Sequence, residues 1–281
     1  MPVPTMLKAA LPSIPGVNQL PGIRKDPGVD PSTLSFTRTG LTIERSHAAP
    51  YARVCGFEPR DTVPLPYPHV LAFPLHLEAL TSRQFPFPAI GTLHLENTIS
   101  SHRPLRPGEV IDVRVRVSAT RAHAKGTVVD FLAEVHVGDE LVWESTSTYL
   151  RRGRGDDAAT GGLTFERTPD ATVEWRLAGD LGRRYAAVSG DRNPIHLHPL
   201  TAKAFGFPRH IAHGMWSLAR CVAALENRLP DAVTVEAAFK KPILLPGTVG
   251  FGHEQTSEGQ AFALTSPKDG APHLLGRAFG P

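Results

Sequence analysis

The chain has 281 residues, 41% of them hydrophobic and 20% charged, enough to bury one large core or two modest ones. Its 30 basic and 27 acidic residues leave a net charge of +3, and no lysine or arginine tract suggests nucleic acid as a partner. No run of about 20 apolar residues exists to span a membrane as a helix.

In chain order, the opening MPVPTMLKAALPSIPG has no long apolar core, and Pro12 and Pro15 interrupt the only candidate, so no secretory signal is expected. Cys55 and Cys221 lie far apart without metal or redox spacing, which fits a reducing, cytoplasmic setting. Leu75, Leu77 and Leu80 predict a short helix over Pro74 to Ser82. VIDVRVRV (110–117) alternates apolar and charged residues, as a strand with one buried face does. RRGRGDDAATGG (151–162) is polar, Gly-rich and without hydrophobic period, and reads as a linker. In the second half Met215, Leu218, Ala219, Val222 and Leu225 step by three or four. They predict a helix with an apolar stripe that ends near Pro230.

The chain also repeats itself. YARVCG (51–56) is echoed by YAAVSG (185–190), and HRPLRPG (102–108) by KPILLPG (241–247). Each Pro-Gly turn follows a strand-like run, LHLENTIS (93–100) or VTVEAAF (233–239), at a similar distance from its tyrosine. Two matched segments in the same order indicate an internal duplication. A helix followed by a run of strands, twice over, predicts an α+β fold. In it antiparallel sheets each wrap around a central helix.

The segment YAAVSGDRNPIHLHP, followed by FGFPRHIAHGM, gathers one Asp, one Asn and the four histidines His196, His198, His210 and His213. Read alone, Gly-Asp-x-Asn-Pro is a routine turn signal, His196 a structural histidine and Gly214 a helix cap. Read together, Tyr185, Ser189, Gly190, Asp191, Asn193, Pro194, Ile195, His196 and His213-Gly214-Met215 closely resemble the signature of the MaoC-like, R-specific enoyl-thioester hydratase family. The resemblance covers the second half. In the first half no Asp, Asn or His of the motif follows Tyr51, where CGFEPRDTVPLPYPHV stands instead.

The resemblance implies a double hotdog. Residues 1–150 would be a degenerate hotdog that makes room for the acyl chain, 151–164 a linker, and 165–281 the catalytic hotdog. It implies reversible addition of water to a trans-2-enoyl thioester, giving the (3R)-hydroxyacyl thioester, with neither metal nor redox cofactor. Asp191 and His196 would activate water, Asn193 hold their geometry, and the Gly214 N–H receive the developing oxyanion at a helix N-terminus. Which of Asp191 and His196 takes the first proton is left open. Substrate contacts are expected from Pro194 and Ile195 of the motif, from His94, and from Lys125 at a coenzyme A phosphate or else in solvent. Arg192 would face a phosphate or solvent, and Phe239 the acyl pocket or the core.

Of the other histidines, His213 is expected to support the helix entry, and His198 and His210 to lie at the surface or in loops. A zinc site of His196, His198 and either Asp191 or His210 is the competing reading. The competing functions are a hotdog thioesterase and a non-catalytic acyl-binding module. The substrate carrier, coenzyme A or an acyl carrier protein, is left open, as is a homodimer. Medium to long acyl chains are expected.

Overall fold

The computed structural model describes Lys25, residues 30–89 and residues 91–280; the opening segment read for a secretory signal lies outside them. The first half runs β1 (Ser35–Thr42), α1 (Arg45–Cys55), α2 (Tyr67–Thr81), β2 (Thr92–Ser101), β3 (Val110–Val117), β4 (Arg121–His123), β5 (Gly126–Val137) and β6 (Glu140–Arg152). The second half runs β7 (Val173–Leu177), α3 (Leu181–Ser189), α4 (Pro194–Leu197), α5 (Pro199–Ala204), α6 (Gly214–Leu225), β8 (Val233–Phe239), β9 (Gly247–Gln255), β10 (Gly259–Thr265) and β11 (Pro272–Phe279). Among the described residues no helix is long and apolar enough to cross a membrane.

The strands follow the order β1-β3-β5-β6-β2-β8-β11-β10-β9-β7, with β4 paired to β5. Both halves trace the same path from their outer strand to the centre, the path β1-β3-β5-β6-β2 reappearing as β7-β9-β10-β11-β8. This is the double hotdog the sequence suggests, with one addition. The two antiparallel sheets are hydrogen-bonded edge to edge into one, through β2 and β8, from Glu96 opposite Ala238 to Ser101 opposite Val233. The joining strands are the matched runs LHLENTIS and VTVEAAF. Each supplies the backbone partners that the other would lack as a free edge.

The repeated YA-x-V-x-G segments also occupy equivalent places. Each ends a helix, α1 or α3, on a glycine in the left-handed region, Gly56 at φ 80° and Gly190 at φ 76°. Their tyrosines, Tyr51 and Tyr185, meet across the halves with ring centroids 6.1 Å apart. β3 buries Ile111, Val113, Val115 and Val117 while Arg114 and Arg116 stay exposed, as its alternation predicts.

Two boundaries differ from the sequence reading. The central helix of the first half begins at Tyr67 and carries Pro74 in its interior. Proline there forfeits one backbone bond, and buried side chains along the whole helix, from Tyr67 to Leu80, offset the loss. Arg151 and Arg152 finish β6 and are not linker. The connection that follows is docked: the Leu163 N–H donates to the Glu96 carboxylate at 2.8 Å, and the Asp156 N–H to the His123 carbonyl at 3.2 Å.

Candidate active site

The motif is a chain of local caps that turns two side chains inward. Gly190 closes α3, and the Ser189 hydroxyl accepts the Asp191 N–H at 3.2 Å. Asp191 Oδ1 accepts the Asn193 N–H at 3.0 Å. Asn193 in turn caps α4, its side chain accepting from the Ile195 N–H at 3.4 Å, with Pro194 in the first turn. The Pro-bearing segment is thus helical for one turn. That turn buries Ile195 and His196. Gly182 of α3 lies against it so closely that a Cβ there would stand 2.0 Å from the His196 carbonyl oxygen.

His196 Nδ1 lies 2.8 Å from the Ile211 carbonyl oxygen. A carbonyl only accepts, so Nδ1 carries the proton and Nε2 keeps its lone pair. Burial lowers the His196 pKa, against an opposing pull from Asp191, which favours the neutral ring a base requires. His213 stacks on His196, ring centroids 3.7 Å apart and planes at 25°. Its Nε2–H donates to the Asp191 carbonyl at 3.0 Å and lies 3.8 Å from the Asp191 carboxylate. His213 is the N-cap residue of α6, and Gly214 is the first helical residue, so the Gly214 N–H has no carbonyl one turn back within the helix. A Cβ on Gly214 would sit 3.2 Å from the Phe239 ring; glycine there leaves the helix end approachable.

These groups open onto a cavity of about 600 Å³ between the two halves. Asp191, Asn193, Ile195, His196, Gly214 and Phe239 line it from the second half. The first half contributes His69, Val70, Phe73, Leu77 and Leu80 from one face of α2, with His94 and Tyr149 from the sheet. Exposed Lys125, Arg152, Lys240 and Lys241 stand at its rim. The first half has no equivalent helix end to offer. Its α2 opens with the Tyr67 N–H bonded to the Pro64 carbonyl at 2.8 Å, and Pro68 has no N–H at all.

Two expected substrate contacts are not at the cavity. Arg192 is exposed and does not line it, because the turn that sends Asp191 inward sends its neighbour out. Pro194 is used in the first turn of α4 and is likewise absent from the lining. The zinc reading also loses its ligand set. His198 is exposed, with Nδ1 accepting the Leu200 N–H at 3.2 Å. His210 is buried rather than at the surface, its Nε2–H donating to the Gly179 carbonyl at 2.7 Å. Among the described residues the group that gathers is Asp191, His196 and His213, one potential ligand atom of each within 4.8 Å of the others. The Nε2 proton of His213 is already committed to the Asp191 carbonyl.

The sequence reading missed His69, His76 and Tyr149. His69 and His76 sit seven residues apart on α2, a helical spacing that goes unread when the helix is started at Pro74. With His94 they form a ring cluster: His69 to His76 5.2 Å, His69 to His94 6.2 Å and His94 to Tyr149 4.6 Å between centroids. Burial pushes His69 down to about 4, opposed by Asp191, and His94 down to about 3, helped by His69.

Acid stability should reflect this. Below the ordinary value of 6.5 the unfolded chain binds protons that these folded, neutral imidazoles refuse. Stability is therefore complete above that pH and falls as pH drops towards about 4 for His69 and about 3 for His94. For His69 the loss is about 3 kcal/mol. Urea unfolding at about pH 7 and pH 4.5 should show a smaller drop for His69→Phe than for the wild type; equal drops would clear His69 of any part in acid sensitivity.

A carboxylate, a buried imidazole and an open helix N-terminus meet at one largely apolar cavity on a hotdog scaffold. The MaoC like domain family matches residues 156–266. The 3-hydroxyacyl-thioester dehydratase X of Mycobacterium tuberculosis is 38% identical over 275 residues, 96% of this chain and 94% of that protein. The crystal structure of HtdX from the same organism superposes with a TM-score of 0.79 at 37% identity, covering 88% of this chain and 100% of that one. The (R)-specific enoyl-CoA hydratase of Aeromonas caviae is 33% identical over 88 residues, 30% of this chain and 61% of that protein. The chain belongs to the MaoC-like dehydratase family. It is a hydratase/dehydratase.

Proposed function

We propose that the enzyme interconverts trans-2-enoyl and (3R)-3-hydroxyacyl thioesters of medium to long chain in cytoplasmic fatty-acid metabolism. Residues 165–281 carry the chemistry and the first half, through Arg152 at the end of β6, the acyl chain, with 153–164 joining them. The observation that carries this reading is the convergence of Asp191, His196 and the Gly214 end of α6 on one cavity. A ring nitrogen of His196 and a carboxylate oxygen of Asp191 within 4.8 Å leave room for one bridging water.

In hydration, that water gives a proton to the pair as its oxygen attacks C3. Nε2 of His196 is the acceptor, since Nδ1 is protonated. Electrons move from the double bond through C2 to the thioester oxygen, where the Gly214 N–H receives the charge; one such donor is worth about 3–4 kcal/mol in the transition state. C2 then takes the proton back from the pair, and the product is the 3-hydroxyacyl thioester. Dehydration is the same path reversed.

The cavity supports the chain-length reading. From His69 to Leu80, α2 offers a lined face about 16 Å long at 1.5 Å per residue. The rim cations Lys125, Arg152, Lys240 and Lys241 suit the phosphates of coenzyme A or of a carrier-bound pantetheine. His94 and Phe239, with ring centroids 5.0 Å apart, both line the cavity. The two cysteines, free and buried, agree with a reducing compartment.

The test is a turnover series on trans-2-enoyl-CoAs of increasing length, repeated on carrier-protein thioesters. Hydration should rise with chain length before it falls, with no release of free thiol. Stoichiometric thiol release would make the enzyme a thioesterase and end this reading.

A further inference from the structure

We propose that His213 is the positioning residue that binds Asp191, His196 and the Gly214 N–H into one unit. The inference rests on the hydratase reading above and assigns a task that neither Asp191 nor His196 performs.

Its tautomer is set by its surroundings. Nε2 faces the Asp191 carbonyl oxygen at 3.0 Å, and a carbonyl only accepts, so Nε2 carries the proton. Nδ1 is buried and has no hydrogen-bond partner among the described residues. A second proton there would bury an unpaired N–H together with a positive charge, so the ring stays neutral. One neutral tautomer, held in one plane, is what a fixed strut requires.

The same side chain touches each working part. Its N–H pins the Asp191 backbone, so that the carboxylate points into the cavity. The carboxylate lies 3.8 Å from Nε2, beyond a hydrogen bond, which leaves that oxygen to the reacting water. The His213 ring covers the His196 ring at 3.7 Å and, with the Ile211 carbonyl on Nδ1, prevents it from turning. Behind it stands Tyr185, its ring centroid 4.8 Å away.

The third connection comes from what His213 does not do. At an N-cap, Ser, Asp and Asn turn their side-chain oxygen back over the helix mouth onto the second or third helical N–H, here that of Met215 or Trp216, beside the Gly214 N–H. His213 occupies the N-cap of α6 with φ −69° and ψ 138°, and its side chain makes no cap bond. Its backbone carbonyl still opens the helix, accepting the Ser217 N–H at 3.1 Å. Histidine at this position starts α6 while leaving the helix-end donors free for the thioester oxygen.

The experiment uses the full chain and a trans-2-enoyl-CoA. His213→Phe keeps a stacking ring and removes the donor. It should lower kcat roughly 10- to 100-fold, in the range of a small misplacement of reacting groups, with KM within about threefold and the melting temperature nearly unchanged. In an Asp191→Asn background the same change should cost almost nothing further, because it acts through Asp191. His213→Gln, which keeps a donor, should recover part of the loss. His213→Ser, which supplies a capping oxygen, should be worse than Gln. A Phe variant within threefold of wild type, or a loss that multiplies undiminished with Asp191→Asn, would reduce His213 to packing. Should the Phe variant not fold, the ¹⁵N–¹H spectrum of the wild-type imidazoles decides. Protons on Nε2 of His213 and Nδ1 of His196 are expected, and either opposite tautomer overturns the proposal. Failure of the wild type to hydrate enoyl thioesters would instead refute the hydratase reading, which the tautomer measurement does not depend on.

Discussion

Asp191→Asn and His196→Gln are each expected to lower hydration of a trans-2-enoyl-CoA by roughly 10³-fold or more, the scale seen when a catalytic unit is broken. The geometry explains why each loss is nearly complete. Oδ1 of Asp191 is occupied by the Asn193 N–H and Nδ1 of His196 by the Ile211 carbonyl, so each residue has one polar atom left for water. Neither substitution should unfold the chain, because the Asn and Gln side chains keep nearly the same shape. The double variant should be little worse than either single one, since two groups holding one water fail together. Ser189→Ala should cost far less, as its hydroxyl only steadies the Asp191 N–H. His198→Gln should be close to silent, its ring being exposed and turned to the Leu200 N–H. The check is a double-mutant cycle on kcat/KM with melting temperatures alongside. Single effects that multiply would mean that Asp191 and His196 act independently and share no water.

Residues 165–281 expressed alone are expected to be insoluble or inactive. Cutting the chain strips β8 of its partner β2 along the run from Val233 to Ala238, exposing a free edge at what was the centre of a continuous sheet. It also uncovers Tyr185, which packs on Tyr51, and removes the α2 wall of the cavity. The Trp216 indole N–H, which donates to the Val54 carbonyl at 3.0 Å, would lose its partner as well. Size-exclusion chromatography and turnover on a long-chain substrate would decide this. A soluble monomeric fragment with near-native activity would show the first half to be dispensable.

The sequence by itself determined what depends on local pattern. The alternation of VIDVRVRV, the apolar stripe from Met215 to Leu225 and the repeated Tyr-Ala-x-Val-x-Gly are short-range signals, and burial period and glycine stereochemistry act within a few residues. The motif from Tyr185 to Met215 was legible for the same reason: Gly190, Asp191, Asn193 and Pro194 form successive caps whose order is written in the chain. Tertiary structure decided what depends on partners distant in sequence. Pro74 looked like a helix start, and only the burial of other α2 side chains, from Tyr67 to Leu80, allows it inside the helix, where Pro74 itself stays exposed. Arg192 adjoins Asp191 in sequence yet faces solvent, while His69, far from it in sequence, lines the same cavity. The pairing of β2 with β8 brings the halves together and so builds a cavity that neither could enclose. The roles of the four motif histidines were likewise decided by partners: Ile211 for His196, Gly179 for His210, the Asp191 carbonyl for His213, and solvent for His198.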